Sequence, residues 1–173
     1  VGEDHPGLRY FRSVRTTGRN ESTVVALFSA KLLNTGTSYM KMWMPASSDV
    51  SYFTALAPSA KTASSPYQSK PSLVVTMRKE KPAVEEPFVV VYEPISDKLS
   101  TGLIESVDRI KLDSLGKKGC AIKVKTKEGD TFTLVNILKD GPVILNNQKC
   151  CGDFAIFAKR KGKNSVYVGN GSF

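Results

Sequence analysis

The chain has 173 residues, 40% of them hydrophobic, and a formal net charge of +9. Its length suits one domain or two small ones, and its composition excludes an intrinsically disordered chain. No apolar run approaches the roughly 18 residues that a membrane-spanning helix needs. The excess of positive charge favours a polyanionic partner, or else forms a solvated basic surface with no such partner. Because the N-terminus has neither an initiator Met nor the apolar segment of a signal peptide, we expect a mature product or an excised fragment.

Short β-rich runs separated by turn residues recur along the whole chain, without a convincing helical period. This pattern predicts an all-β fold, an antiparallel two-layer β-sandwich, and we allow for a smaller C-terminal β-sheet subdomain. The predicted strands, in chain order, are Arg9–Thr16, Ser22–Lys31, Ser38–Met44, Ser51–Ala57, Ser72–Arg78, Phe88–Glu93, Leu103–Leu112, Cys120–Lys127, Thr131–Ile137, Val143–Leu145, Asp153–Lys159 and Ser165–Val168.

The third predicted strand contains the single Trp of the chain. Alternation along a strand places Tyr39, Lys41 and Trp43 on one face and three Met residues on the other. Such a face either packs against a second sheet, as aromatic residues usually do, or stacks on sugar rings while the lysine pairs with an anion. Tyr39, Lys41 and Trp43 are therefore candidate carbohydrate contacts.

The segment PFVVVYEP holds an apolar run from Phe88 to Val91. A continuous apolar run predicts a strand covered on both faces, which we place centrally in the sandwich. Glu93 ends this run, and we expect its side chain to emerge into water. A boundary near residue 95 would divide the chain into a sandwich part, residues 1–95, and a C-terminal β-sheet subdomain, residues 96–173; the two parts could also pack as one unit.

The clearest hairpin lies in AIKVKTKEGDTFTLVNI, where KEGD supplies the turn. Lys123, Lys125 and Lys127 form one face of its first strand, which is either a solvated sheet face or a basic stripe. Lys123 and Lys125 join the candidate carbohydrate contacts. The segment KRKGKN, at 159–164, predicts a second, basic hairpin turn that protects a sheet edge or contacts a polyanion.

Several kinds of chemistry are not indicated by the sequence. The single histidine, His5, stands near the terminus, so neither a catalytic triad nor a metal site is expected within the chain. Cys120, Cys150 and Cys151 have no zinc-ligand spacing, and buried thiols are the expectation. Nucleotide-binding glycine motifs and an RNA-recognition pattern are absent. We predict no catalytic residue, no metal, no cofactor, no nucleic-acid partner and no membrane partner.

A series of segments follows in a fixed order from about Leu27 to the end: KMWMPASSDVSYFTALAP, PFVVVYEP, IESVDRI, GCAIKV, the EGD hairpin, GDFAIF and SVYVGNGSF. This series resembles the C-terminal β-rich region of heparinase II/III-like polysaccharide lyases. In that family an N-terminal α/α toroid precedes the β-sandwich, and the enzymes cleave uronic-acid-containing polysaccharides by β-elimination with Tyr and His residues largely of the toroid.

The resemblance implies a noncatalytic C-terminal fragment that supports the toroid and the substrate cleft. It also implies that the parent protein is a polysaccharide lyase, while this chain alone would be inactive. The implied partners are the upstream toroid and an anionic polysaccharide, either heparin- or heparan-sulfate-like or another uronate glycan. A periplasmic or secreted location follows from the same resemblance. The alternatives are a stand-alone carbohydrate-binding module and a structural or adhesion sandwich whose charge is incidental.

Overall fold

The computed structural model describes residues 10–32, 36–57, 73–79, 87–110, 119–137, 142–145, 148–151 and 153–169. These residues confirm the predicted all-β class, since their regular elements are strands joined into antiparallel sheets. No helix among them is long and apolar enough to cross a membrane.

Thirteen strands lie in the described part of the chain. Twelve correspond to predicted strands, and only β11 was not predicted, because QKCC is too short and too polar to show an alternating apolar pattern. The strands are β1 (Arg12–Asn20), β2 (Val24–Leu32), β3 (Gly36–Met44), β4 (Ser47–Leu56), β5 (Leu73–Lys79), β6 (Val91–Ile95), β7 (Ile104–Ile110), β8 (Gly119–Thr126), β9 (Thr131–Ile137), β10 (Pro142–Leu145), β11 (Gln148–Cys151), β12 (Phe154–Arg160) and β13 (Lys163–Gly169).

The chain divides into two compact units, of which the first comprises Val1–Asn20 and Ser48–Glu80. This unit holds a three-stranded sheet in the order β1-β4-β5. Its central strand β4 is buried on both faces, since the consecutive side chains of Tyr52 and Phe53 are only 2% and 3% exposed.

The second unit comprises Glu21–Ser47 and Lys81–Phe173. It holds a three-stranded sheet, β2-β3-β6, a five-stranded sheet, β13-β12-β9-β8-β7, and the β10-β11 hairpin. The predicted boundary near residue 95 falls inside this unit. The division into a sandwich part, residues 1–95, and a C-terminal subdomain, residues 96–173, stays a prediction.

The two larger sheets of the second unit pack face to face as a sandwich. On the five-stranded sheet the centre of the interface is the buried trio Val107, Ile122 and Val124. Trp43 of β3 and Val91 of β6 pack against it from the other sheet. Burial of these apolar side chains, at roughly 1.5–3 kcal/mol each, stabilises the sandwich.

The opposite face of the five-stranded sheet carries a second apolar cluster. Its buried members are Ala121, Val135, Ile137, Ala155 and Phe157. Because successive residues of a strand point to opposite faces, the middle strands β8, β9 and β12 contribute to both faces of this sheet. The five-stranded sheet thus has buried apolar side chains on both of its faces.

The central placement of PFVVVYEP was wrong. The strand begins only at Val91, and β6 lies at an edge of its sheet among the described strands. Val89 and Val91 do pack into the sandwich core, but Phe88 and Tyr92 are 46% and 58% exposed. An edge strand with one covered face produces the same apolar run as a central strand, so composition alone could not separate them.

Both predicted hairpin turns are confirmed. KEGD joins β8 to β9, and the turn between β12 and β13 has positive φ at Lys161 and Gly162, as a two-residue type I′ turn requires. Asp130 is 6% exposed and connects the two turns. Its carboxylate accepts hydrogen bonds from the backbone N–H of Lys161 at 3.0 Å and from Nε of Arg160 at 3.3 Å.

Candidate functional site

Strand β3 presents the predicted Tyr39, Lys41 and Trp43 on one face, as the alternation predicted. Antiparallel pairing places β2 residues beside them on the same face, with Ser29 opposite Tyr39 and Leu27 opposite Lys41. Met42 and Met44 on the other face are buried. The five-stranded sheet covers the Tyr-Lys-Trp face at its Trp43 end, while Tyr39 at the other end lines an open groove.

Trp43 marks the closed end of this face. Its ring packs against the core of the five-stranded sheet, and its indole Nε1–H donates to Oε2 of Glu93 at 2.9 Å. A tryptophan with a structural role usually packs its ring against apolar side chains and donates its indole N–H to a hydrogen-bond acceptor, as Trp43 does here. The predicted sugar contact of Trp43 stays a prediction.

Glu93 does not emerge into water, and that expectation was wrong. The residue is only 6% exposed. Besides the indole it accepts hydrogen bonds from the backbone N–H groups of Leu103 and of Ile104, the latter at 2.7 Å. Three N–H donors replace the water that a buried carboxylate loses, which is the condition for keeping such a charge inside a protein.

Gly102 makes room for this carboxylate. It has a positive φ of 72°, and a Cβ at this position would lie 2.6 Å from Cδ of Glu93. Glycine is therefore required at residue 102 both by the backbone conformation and by the close approach of Glu93.

The open end of the face forms a groove of about 530 Å³. Among its described lining residues two are lysines and none is acidic. They are Leu27, Ser29, Lys31, Thr37, Tyr39 and Lys98. Tyr39 supplies a ring face and a hydroxyl, Ser29 and Thr37 supply further hydroxyls, and the lysines supply positive charge. This groove, called the Tyr39 groove below, offers an anionic and hydroxyl-rich ligand both kinds of contact that it needs.

Lys98 reaches the groove from the loop that follows β6. Oδ1 of Asp97 accepts hydrogen bonds from the backbone N–H groups of Leu99 and Ser100, both at 2.8 Å. An aspartate that binds the backbone two and three residues ahead stabilises a tight turn. These hydrogen bonds of the Asp97 carboxylate stabilise the backbone conformation of the loop that carries Lys98.

Two further lysines hold the end of the same loop. Nζ of Lys41 donates to the carbonyl oxygen of Thr101, and Nζ of Lys127 donates to the carbonyl oxygens of Thr101 and Gly102 at 3.0 and 2.8 Å. The backbone N–H of Lys127 also donates to Leu103. Lys41 thus binds protein backbone, and its predicted sugar contact stays a prediction.

Lys123 and Lys125 lie elsewhere. In the register of β7, β8 and β9 they share a face with Asp108 and Thr133, which is opposite to the face of Ile122 and Val124 that packs against Trp43. Nζ of Lys125 lies 3.0 Å from Oε2 of Glu105. The predicted contacts therefore separate into two groups on different faces, and the structure does not join them into one site.

Lys31 and Lys98 are groove residues that the sequence reasoning missed. Lys31 could have been found, because pairing Ser22–Lys31 with Ser38–Met44 as a hairpin aligns it with the Tyr39 side of the strand. Lys98 could not, since only the fold of its loop carries it back to β3.

Cysteine and metal chemistry add little to this site. Within the described residues no group of three or more His, Cys, Asp and Glu side chains could hold a metal ion. His5 lies outside the described residues, and so do the side chains of Cys150 and Cys151. Cys120 is a free, partly buried thiol whose pKa is raised by burial, against a smaller lowering by the nearby Arg109.

Comparison with known proteins gives one informative similarity. The chain is 36% identical, over 89 residues, to an endo-acting ulvan lyase of Formosa agariphila. The matched region is 51% of this chain and 10% of that enzyme, so the chain spans about a tenth of the length of its relative. No protein-family profile and no solved structure matches the chain. About half of the chain is thus similar to part of a polysaccharide lyase.

Proposed function

We propose that the chain is a noncatalytic β-sandwich part of a polysaccharide lyase acting on uronic-acid-containing anionic polysaccharides, and that the Tyr39 groove holds a segment of the polysaccharide. The similarity to an ulvan lyase over half of the chain supports the class of parent enzyme. The chemistry of the groove supports the class of ligand. A heparinase II/III-like parent with an upstream toroid and a periplasmic or secreted location complete the proposal.

The observation that carries the binding role is that Lys31 and Lys98 line the same groove as Tyr39. In this arrangement the tyrosine ring packs against the face of a sugar, while the ammonium groups pair with its carboxylate or sulfate groups. Positive charge in a concave surface also raises the local concentration of a polyanion.

The noncatalytic role follows from the chemistry of β-elimination. The reaction needs a base and a group that neutralises the uronate carboxylate as charge develops. Lysines of the groove can assist neutralisation, and no histidine is among its described lining residues. The base is assigned to the parent enzyme's other domain.

Binding is tested with ulvan, heparin and polygalacturonate, with neutral dextran as the control ligand. The variant Lys31→Gln/Lys98→Gln removes two groove charges, and Lys123→Gln/Lys125→Gln removes two charges from the opposite face of the five-stranded sheet. Both lose the same net charge. We expect the groove variant to bind at least one of the anionic glycans about tenfold more weakly, or ~1.4 kcal/mol, and the control to change by less than about threefold.

Equal losses in the two variants would contradict the groove and leave either net charge or the Lys123/Lys125 face as the binding determinant. Absence of binding to every anionic glycan would favour a structural or adhesion sandwich. Tyr39→Ala should also weaken binding about tenfold, whereas Tyr92→Ala, which truncates an exposed tyrosine on the neighbouring strand, should not.

The noncatalytic assignment has its own measurement. The purified chain is incubated with the same glycans while the absorbance of the unsaturated product is followed. We expect no product at lyase rates, and turnover at such rates would refute the assignment without affecting the binding result.

A further inference from the structure

The hairpin formed by β12 and β13 exposes an aromatic and basic face on the second unit. Tyr167 is 60% exposed and Phe154 is 38% exposed. The strand register places Tyr167, Ser165 and Lys163 on one face of the edge strand β13, beside Phe154 and Ile156 of β12. We call this surface the Tyr167 face.

The two aromatic rings support each other. Their centroids lie 5.5 Å apart with an interplanar angle of 49°. Phe154 packs over Gly169, its cross-strand partner, where a Cβ would lie 2.5 Å from the Phe154 ring. A glycine at this position lets Phe154 lie close to the sheet beside Tyr167, whose ring remains largely in water.

The back of the hairpin is fixed in the second apolar cluster. Ala155 and Phe157 are 1% and 8% exposed, and Val166 and Val168 pack against the same cluster. The two-residue turn is held by Asp130, which binds the backbone of Lys161 and the side chain of Arg160. The opposite face of the hairpin is thus buried and its turn is held by hydrogen bonds, so the Tyr167 face is preformed for binding.

The charge of the hairpin selects the partner. Between Phe154 and Gly169 the sequence has four basic residues and no acidic one. Lys163 is exposed and lies four residues from Tyr167 on the same face, a separation of about 14 Å along a strand. A ligand that contacts both must be extended, must offer a flat face to the ring and must carry negative charge.

We propose that the Tyr167 face is a second contact for an anionic polysaccharide, in which Tyr167 packs on a sugar ring and Lys163 pairs with a carboxylate or sulfate farther along the chain. The choice of a polysaccharide rests on the proposed function; the location rests on the hairpin alone. Single-stranded nucleic acid also combines flat rings with negative charge and is a separate outcome of the test.

The test titrates heparin and polygalacturonate oligosaccharides, and a dT oligonucleotide of similar charge, into the whole 173-residue chain labelled with ¹⁵N. We expect the amide signals of Lys163, Ser165 and Tyr167 to shift with both glycans. Tyr167→Ala and Lys163→Gln should each weaken the glycan interaction at this face roughly fivefold to tenfold. Tyr92→Ala and Lys159→Gln are the matched controls, since Tyr92 is 58% exposed and Lys159 is an exposed lysine on the opposite face of the same hairpin.

Lys163→Gln changes only an exposed side chain beside the turn, so it keeps the proposal testable if Tyr167→Ala fails to fold. Shifts confined to the Tyr39 groove would overturn the second contact and leave the proposed function intact. Shifts confined to the Tyr167 face would refute the groove and retain the second contact. Equal effects of the variants and their controls, or tighter binding of dT than of both glycans, would overturn the inference.

Discussion

The buried Glu93 gives a quantitative test of how the loop after β6 is held. In Glu93→Gln the amide oxygen can keep the two backbone N–H groups of Leu103 and Ile104. Its NH₂ group must then face the indole N–H of Trp43, donor against donor. The substitution thus changes one hydrogen bond and almost no volume.

The magnitude follows from hydrogen bonds to charged groups. Loss of one such bond costs about 1.5–3 kcal/mol, and a buried N–H without a partner adds a penalty of similar size that overlaps with it. Since Glu93 is 6% exposed, solvent screens little of this loss. We expect Glu93→Gln to lower the free energy of unfolding by about 3 kcal/mol, which moves the urea midpoint by roughly 1–3 M.

A double-mutant cycle identifies the cause. Trp43→Phe should cost about 2 kcal/mol, because it removes the indole donor and leaves a gap. In the double variant the donor-against-donor contact is gone, so the loss should fall short of the sum by about 1–2 kcal/mol. Urea unfolding is followed by far-UV circular dichroism, with Glu128→Gln in an exposed turn as the control. Additive losses, or an effect of Glu93→Gln no larger than the control's, would refute this account of the hydrogen bonds.

Three further substitutions test neighbouring features. Gly102→Ala should lower the free energy of unfolding, measured in urea, by about 2 kcal/mol more than Gly129→Ala does. Both glycines have positive φ, but of the two only Gly102 lies against a side chain. Equal losses of stability would exclude the contact with Glu93. Lys125→Ala should change the free energy of unfolding by less than about 1 kcal/mol, since its ion pair with Glu105 is nearly half exposed, and a larger loss would show that this pair is structural. In a Cys150→Ser/Cys151→Ser variant, Cys120 should react with a disulfide reagent more slowly than free cysteine at neutral pH, because its raised pKa leaves less thiolate until the pH exceeds that pKa; faster reaction would contradict the burial.

The sequence predicted the strands well because each is short, alternates and ends at turn residues. Alternation also sufficed to separate the Met and Tyr-Lys-Trp faces of β3, since period two fixes the face of every residue once a strand is assumed. Alternation did not show which strands are buried on both faces and which lie at a sheet edge. β6 is apolar and lies at an edge, whereas β4, with Ser and Thr among its residues, is buried on both faces. Coverage depends on which strands become neighbours, and local composition does not determine that.

The candidate site was only partly predictable for a related reason. Tyr39 was identified from its strand, but Lys98 reaches the same groove through a turn that depends on the Asp97 side chain. The burial of Glu93 depends on a glycine at positive φ and on two backbone amides that follow it by ten and eleven residues. Each of these relations is set by tertiary structure rather than by a repeating local pattern.

Contacts within the protein also limit how much of the positive charge of the chain can bind a polyanion. The side chains of Lys41 and Lys127 donate to carbonyl oxygens of the loop after β6. The side chain of Arg109 donates to the carbonyl oxygen of Pro87, and Arg160 forms an ion pair with Asp130. A polyanion would have to displace these contacts to use the cations fully, so the net charge of +9 overstates the charge ready for a ligand. Binding at the Tyr39 groove should therefore weaken with salt only as a site with a few ion pairs does, while ring and hydroxyl contacts persist. A salt dependence that matched the whole net charge would instead assign binding to the diffuse basic surface.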